Sequence, residues 1–229
     1  FNRFYYCLAL GSGNQGYGGA VFLNQEHAEY ANYEQVTSNV FFNCRSRISG
    51  GAIYVHCYDE THMRTIRDID DENHRFAVVI SSSVFTKCSS QVEGGAIGSG
   101  FAESGGASKD GDMMISQCSF SECSSESGGA ISFNDGTPEK KGTKYVVECN
   151  FTSCFASGES GNGYAIYAHS YLVNLTLILF KDFKINNINS GQTNSIIYIK
   201  MDDDPEKEKD VVLTPTIDSL TFEKINGVS

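Results

Sequence analysis

The sequence predicts an all-β fold, a parallel β-helix of about seven coils with little or no α-helix, and three observations carry that prediction. A Phe-x-x-Cys tetrad recurs five times, at Phe4 to Cys7, Phe41 to Cys44, Phe85 to Cys88, Phe120 to Cys123 and Phe151 to Cys154. A sixth copy, Phe183 to Asn186, has Asn in place of Cys, and Phe222-Glu223-Lys224-Ile225 reads as a weaker seventh. Between tetrads lies a second signature in constant order: Gly18-Gly19-Ala20-Val21, Gly50-Gly51-Ala52-Ile53, Gly94-Gly95-Ala96-Ile97 and Gly128-Gly129-Ala130-Ile131, decaying to Gly163-Tyr164-Ala165-Ile166 and Ser195-Ile196-Ile197. The third observation is negative for helix: no segment sustains a 3.6-residue apolar period between caps.

Each element of the repeat has a physical reason. The aliphatic runs before the tetrads, Val78-Val79-Ile80, Met113-Met114-Ile115, Tyr145-Val146-Val147 and Leu177-Ile178-Leu179, are short, rich in branched residues and bounded by polar clusters, the pattern of strands. A Gly-Gly pair suits a sharp turn, because Gly takes positive φ without steric penalty, and the neighbouring Ala permits close packing. A repeat therefore holds about three short strands. One such coil cannot bury its apolar face alone, whereas stacked coils can, each strand pairing in parallel with its copy in the next. At about 4.8 Å per coil, seven coils make a prism on the order of 30 Å long.

The repeats differ in length mainly between the Gly-Gly-Ala-Ile strand and the following aliphatic strand, in segments 23–34, 58–75, 99–112, 134–144 and 201–210. Of the 28 acidic residues, 20 fall in these five segments, so the formal charge of -11 gathers on one ragged edge. Insertions there leave the stack undisturbed, which makes this edge the expected place for partner contacts.

The 229 residues read as a single domain, 1–229, belonging to a longer chain. The acidic balance argues against nucleic acid as a partner, since a nucleic-acid binder needs a basic face to neutralise phosphates. The longest strongly apolar run, 175–180, is far shorter than the roughly 20 residues of a membrane helix. The chain opens at Phe1 with neither Met nor a signal-peptide pattern, which reads as a processed product or an excised segment.

With Gly-Gly-Ala-(Val/Ile) and Phe-x-x-(Cys/Asn) in register from Phe4 to about Asn226, the chain resembles the repeat region of chlamydial polymorphic membrane proteins, defined by Gly-Gly-Ala-Ile and Phe-x-x-Asn tetrapeptides. Related repeats occur in surface proteins of parasitic protists, and Cys in place of Asn leans towards such a relative. The resemblance implies a right-handed β-helix, secreted or displayed at the cell surface, that works in adhesion rather than catalysis. A host-cell or matrix protein, or a glycan, is the partner so implied.

Several residues are candidates for chemistry. The tetrad cysteines should stack as a column, with Cys118 and Cys149 forming a shorter second column and Cys57 standing apart. Three readings stay open for them: a ladder of buried thiols that behave as small hydrophobes, disulfides between adjacent coils, and metal or redox use. His56, His62 and His74 surround one insertion near Asp68, Asp70, Asp71 and Glu72, and Asp202-Asp203-Asp204 precedes Glu206, Glu208 and Asp210. Neither set has ligand spacing. The acidic loops leave a weak case for Ca²⁺, and solvated loop edges are the simpler reading; no cofactor is expected. Two sequons, at Asn150 and Asn174, are candidate N-glycosylation sites.

An enzyme acting on polysaccharides would need carboxylates converging on one outer wall. The position three before each tetrad Phe reads Ser38, Ser82, Gln117, Glu148, Phe180 and Ser219, which is no acidic column. The expectation is a non-enzymatic adhesin or structural surface module. Two rivals are a polysaccharide-binding or polysaccharide-cleaving β-helix and a subunit that self-associates through its end coils. Tyr5, Tyr17, Tyr30, Tyr33, Tyr54, Tyr58, Tyr164, Tyr167 and Tyr171 cluster as candidate exposed aromatics, of which half are expected to be core residues or ladder stacks.

Overall fold

The computed structural model describes residues 1–12, 16–24, 34–56, 78–100, 113–134, 144–158, 162–169, 173–182, 195–200 and 216–223. All the strands among them pair in parallel, coil upon coil, and the chain is a parallel β-helix. The first coil holds β1 (Arg3–Tyr5), β2 (Leu8–Ala9) and β3 (Val21–Asn24). The second adds an aliphatic strand at its start, giving β4 (Glu34–Thr37), β5 (Val40–Phe42), β6 (Arg45–Ser46) and β7 (Ile53–His56). The third repeats this as β8 (Val78–Ser81), β9 (Val84–Thr86), β10 (Ser89–Ser90) and β11 (Ile97–Gly100). The fourth is β12 (Met113–Ser116), β13 (Ser119–Ser121), β14 (Ser124–Ser125) and β15 (Ile131–Asn134), and the fifth is β16 (Lys144–Val147), β17 (Asn150–Thr152), β18 (Phe155–Ala156) and β19 (Ile166–His169). The last described strands are β20 (Val173–Lys181), β21 (Ile197–Lys200) and β22 (Thr216–Glu223).

A full coil thus has four strands, one more than the sequence pattern predicts. The extra one is the two-residue strand after the tetrad Cys, too short to leave a periodic signal. The strands form three walls: an 11-stranded sheet that joins the aliphatic and Phe strands, a 5-stranded sheet of two-residue strands, and a 6-stranded sheet built on the Gly-Gly-Ala-Ile strands.

The Phe column runs Phe4, Phe41, Phe85, Phe120, Phe151, Phe180, Phe222. Successive rings lie nearly parallel with centroids 4.8, 4.9, 4.9, 4.8, 5.4 and 5.1 Å apart. That separation is the coil spacing itself, so every interior ring stacks on two others. The sixth place belongs to Phe180, three residues before the Phe183 assigned to it by the tetrad pattern, and Phe183 and Asn186 lie outside the described residues. The run Leu177-Ile178-Leu179 is correspondingly not the aliphatic strand of that coil. Residues 173–176 pair with Lys144–Val147 instead, and β20 continues through the corner into the Phe position.

Positive φ marks three corners of the coil. Two of them use residues other than Gly: Ser38, Ser82, Gln117, Glu148, Leu177 and Ser219 at one, and Tyr6, Asn43, Lys87, Glu122, Ser153 and Asp182 at the other. L-residues pay roughly 1–2 kcal/mol for this conformation. It persists because the corner N–H groups donate to carbonyls of the next coil, as from Gln117 to Val147 at 3.0 Å and from Glu122 to Thr152 at 3.0 Å. The third corner is Gly18, Gly50, Gly94, Gly128 and Gly163, as the motif predicts. The second Gly has a different reason: a Cβ on Gly95 would run into the carbonyl oxygen of Gly129 in the next coil.

Inside the prism the same residue types repeat at each level, with Ile53, Ile97, Ile131 and Ile166 fully buried in one row and Phe85, Phe120 and Phe151 in another. Lys144, which the sequence places at the end of an insertion, belongs to β16 and is fully buried in register with Met113 and Val173. Extra residues also enter at a second edge. From the column Phe to the first Gly of the turn the chain takes 14 residues in the first coil (Phe4 to Gly18) and 12 in the fifth (Phe151 to Gly163), against 9 in the second (Phe41 to Gly50).

Candidate functional site

Strand alternation sends every second residue of the 6-stranded sheet outward. Ile53 and Val55 face the core, so Tyr54 and His56 face out, and the register carries this to each coil. The first outward row reads Phe22, Tyr54, Gly98, Ser132, Tyr167, Tyr198. The second includes His56, Gly100, Asn134 and His169. A third row comes from the residue preceding each Gly turn, where Ser49, Glu93 and Ser127 are bridged in parallel. This row folds over the wall of the following coil: a Cβ on Gly98 would collide with Ser49 Oγ.

Glu93 uses that geometry. Its carboxylate reaches the fourth coil, where Asn134 Nδ2 donates to both Oε1 and Oε2 at 3.2 Å. Burial holds the Glu93 carboxyl above its ordinary value near 4.5, opposed by the Asn134 amide, by the field of His169 and by Ser132. The Ser132 hydroxyl lies near enough to favour the charged form but meets no hydrogen-bonding geometry; it is fully buried and without a partner, as is the hydroxyl of Ser49. Tyr54 lies along the wall over Gly100, whose Cβ position is 3.0 Å from the Tyr54 hydroxyl. The cluster therefore gathers a partly desolvated carboxylate, an amide, an imidazole and hydroxyls on adjacent coils.

Aromatic rings flank it at both ends. On one side Tyr17 and Phe22 pack on Tyr54 with centroids 4.2 and 5.7 Å apart. On the other, Tyr167 and Tyr198 stack at 5.6 Å with planes 3° apart, both half-exposed. Compared with family models, curated proteins and solved structures, the chain matches none.

The structure places the sequence candidates unevenly. Cys44, Cys88, Cys123 and Cys154 stand in one buried column and Cys118 with Cys149 in another, while Cys7 is half-buried at the open first coil. These seven are free thiols, and each interior Sγ donates weakly to a backbone carbonyl one coil back, as Cys123 to Phe85 at 3.7 Å and Cys149 to Ile115 at 3.7 Å. Burial, then the hydrogen bonds of neighbouring thiols, pushes Cys123 and Cys149 well above the ordinary thiol range. They are poor nucleophiles in this setting. The second column continues Asn39 and Ser83 of earlier coils, where Asn39 N–H donates to Ser83 Oγ at 3.1 Å.

Asn150 is exposed in β17, and Asn174 stands in β20 in register with Tyr145. Tyr54 and Tyr164 are buried rather than exposed: Tyr54 packs against Tyr17 of the first coil and lies over Gly100 of the third, and Tyr164 meets Phe155 of its own coil edge-on at 5.9 Å. Cys57, His27, His62, His74, Tyr30, Tyr33, Tyr58, Tyr171 and the acidic clusters 68–72 and 202–210 lie outside the described residues. Among the described residues no group of three His, Cys, Asp or Glu is arranged to hold a metal. At the corner three before the column Phe, Leu177 replaces the Phe180 expected there. Ser82, Gln117 and Glu148 of that corner form an exposed chain of hydrogen bonds at 3.3 and 2.9 Å.

Glu93 and Asn134 escaped the sequence reading. They are 41 residues apart and meet only once the coil register is known; the available signal was Glu93's place before the Gly turn, where the neighbouring repeats carry Ser49 and Ser127.

Proposed function

We propose that this chain is a non-enzymatic β-helix, secreted or displayed at a cell surface, that works as an adhesin by presenting the outer face of its 6-stranded sheet to a host-cell or matrix partner. The observation that supports this reading is the contrast on that face: aromatic pairs at Tyr17–Tyr54 and Tyr167–Tyr198 frame a polar cluster at Glu93, Asn134 and His169, while the strands beneath repeat the same core residues. Large amphipathic rings around hydrogen-bonding groups are the composition of binding surfaces. The strands of this sheet end at His56, Gly100 and Asn134, and the acidic insertions follow those residues in the sequence. The resemblance to polymorphic membrane protein repeats points the same way.

The test is retention of protein-coated beads on cells and on matrix. The intact chain should hold them, and joint replacement of Phe22, Tyr167 and Tyr198 by Ser should release them while the far-UV spectrum stays that of the parent. Equal retention by the triple variant, or none by the parent, would count against the reading.

A further inference from the structure

We propose that the Glu93 cluster is a saccharide subsite, with Glu93 and Asn134 binding the hydroxyl groups of a neutral glycan that extends along the coil axis towards Tyr167 and Tyr198. The inference deepens the adhesin reading and rests on it. Its first support is the inventory of unused hydrogen-bonding capacity. Asn134 spends its N–H on Glu93, which leaves the Asn134 carbonyl oxygen and the outer lone pairs of the carboxylate. Adjacent acceptors match the adjacent O–H donors of a sugar ring.

Hydrogen-bonding pattern and ring stacking together select the ligand. The acceptors of Glu93 and Asn134 call for a ligand that donates, and the stacked rings of Tyr167 and Tyr198 call for one with an apolar face beside its donors, as a sugar ring has. Burial of Glu93 makes each hydroxyl contact count for more, since the carboxylate is already poorly solvated.

Shape gives the direction. Gly98 and Gly100 leave the third coil without side chains at both outward rows, where Ser49 Oγ lies over Gly98 and the Tyr54 hydroxyl over Gly100. Beyond Asn134, Tyr167 sits one coil, or about 5 Å, further along and Tyr198 one more, their rings parallel and half-exposed. A sugar ring held by Glu93 and Asn134 would be followed, along the same wall, by an aromatic platform suited to the apolar face of the next one.

The experiment titrates the intact chain with short neutral gluco-, galacto-, manno- and chito-oligosaccharides by calorimetry, with spermine and oligolysine as cationic probes. At least one oligosaccharide should bind; Glu93→Gln and Asn134→Ala should each weaken it roughly tenfold or more, as expected for lost bonds to a charged group and its partner. Tyr167→Ala should weaken it too, and Gln117→Ala on a different corner should not. Glu93→Gln keeps the shape of the side chain and guards against a variant that merely misfolds. Absence of binding to every neutral oligosaccharide at millimolar concentration, indifference to Glu93→Gln and Asn134→Ala, or a preference for the cationic probes would overturn the proposal. Bead retention that survives enzymatic removal of cell-surface glycans would also overturn it while leaving the adhesin reading intact, whereas no retention on any cell would remove that reading itself.

Discussion

The lining of the prism and the outer face of its 6-stranded sheet are made by the same strands, yet they follow opposite rules. Along the lining one residue type is repeated at nearly every level: Phe in seven consecutive coils, Ile at positions 53, 97, 131 and 166, Cys after five of the Phe residues. One row outward from that Ile row, the register reads Phe, Tyr, Gly, Ser, Tyr, Tyr. A parallel stack requires likeness inside, since each side chain must fit the copy above and below it at the coil spacing. It requires nothing of the kind outside. Variation on the outer rows is free of the scaffold and available for recognition, whereas repetition inside reports packing alone.

The sharpest way to break this comparison is to make the lining vary. Phe120→Ala removes a fully buried ring stacked on two others and should cost about 3–5 kcal/mol, read as a lower urea midpoint. Gly95→Ala tests the turn: its Cβ has no room against the Gly129 backbone, and the strain should cost about 1–3 kcal/mol in the same denaturation experiment. A change in the opposite direction is expected at Leu177, a half-exposed residue held at φ 53. Leu177→Gly relieves the left-handed strain and should raise stability by about 0.5–1 kcal/mol after the added flexibility of the unfolded chain is counted.

The outer face sharpens the comparison through pH. The folded Glu93 pKa lies above the unfolded one because of burial, so the folded chain holds this proton more tightly. Stability contributed by that proton is present below the ordinary value near 4.5 and is lost as pH rises through the folded pKa. Glu93→Gln should therefore match the parent in melting temperature at low pH and exceed it at neutral pH, the gap opening between the two pKa values. The smallest effect belongs to the exposed corner chain, where Ser82→Ala removes one solvated hydrogen bond and should alter stability by no more than about 0.5 kcal/mol.

Repetition also decided how much could be read beforehand. The Phe, Cys, Ile and first-Gly columns were legible because the lining demands the same residue in every coil. The sixth coil was misread where Phe180 and Phe183 stand three apart: Phe183 satisfies the tetrad pattern, whereas Phe180 has neither Cys nor Asn three residues on, and only pairing with Phe151 distinguishes them. The two corners outside the Gly turn left no trace, because Ser, Gln, Lys, Glu and Leu hold positive φ there through hydrogen bonds to the next coil rather than through their own preference. The Glu93 cluster was hidden for the complementary reason. It depends on residues that differ from their counterparts in other coils, and difference carries no periodic signal.

The nearest-neighbour pairing of the coils also bears on how such a chain comes to be folded. Every described strand partner lies one coil away, and no strand waits for a distant part of the sequence. A chain that emerges end first can complete one turn of the helix as soon as its 29 to 44 residues are out, as between Phe151 and Phe180 or Phe41 and Phe85, and that turn offers its open edge to the next. Folding then advances at the pace of emergence, each turn laid on the one before it.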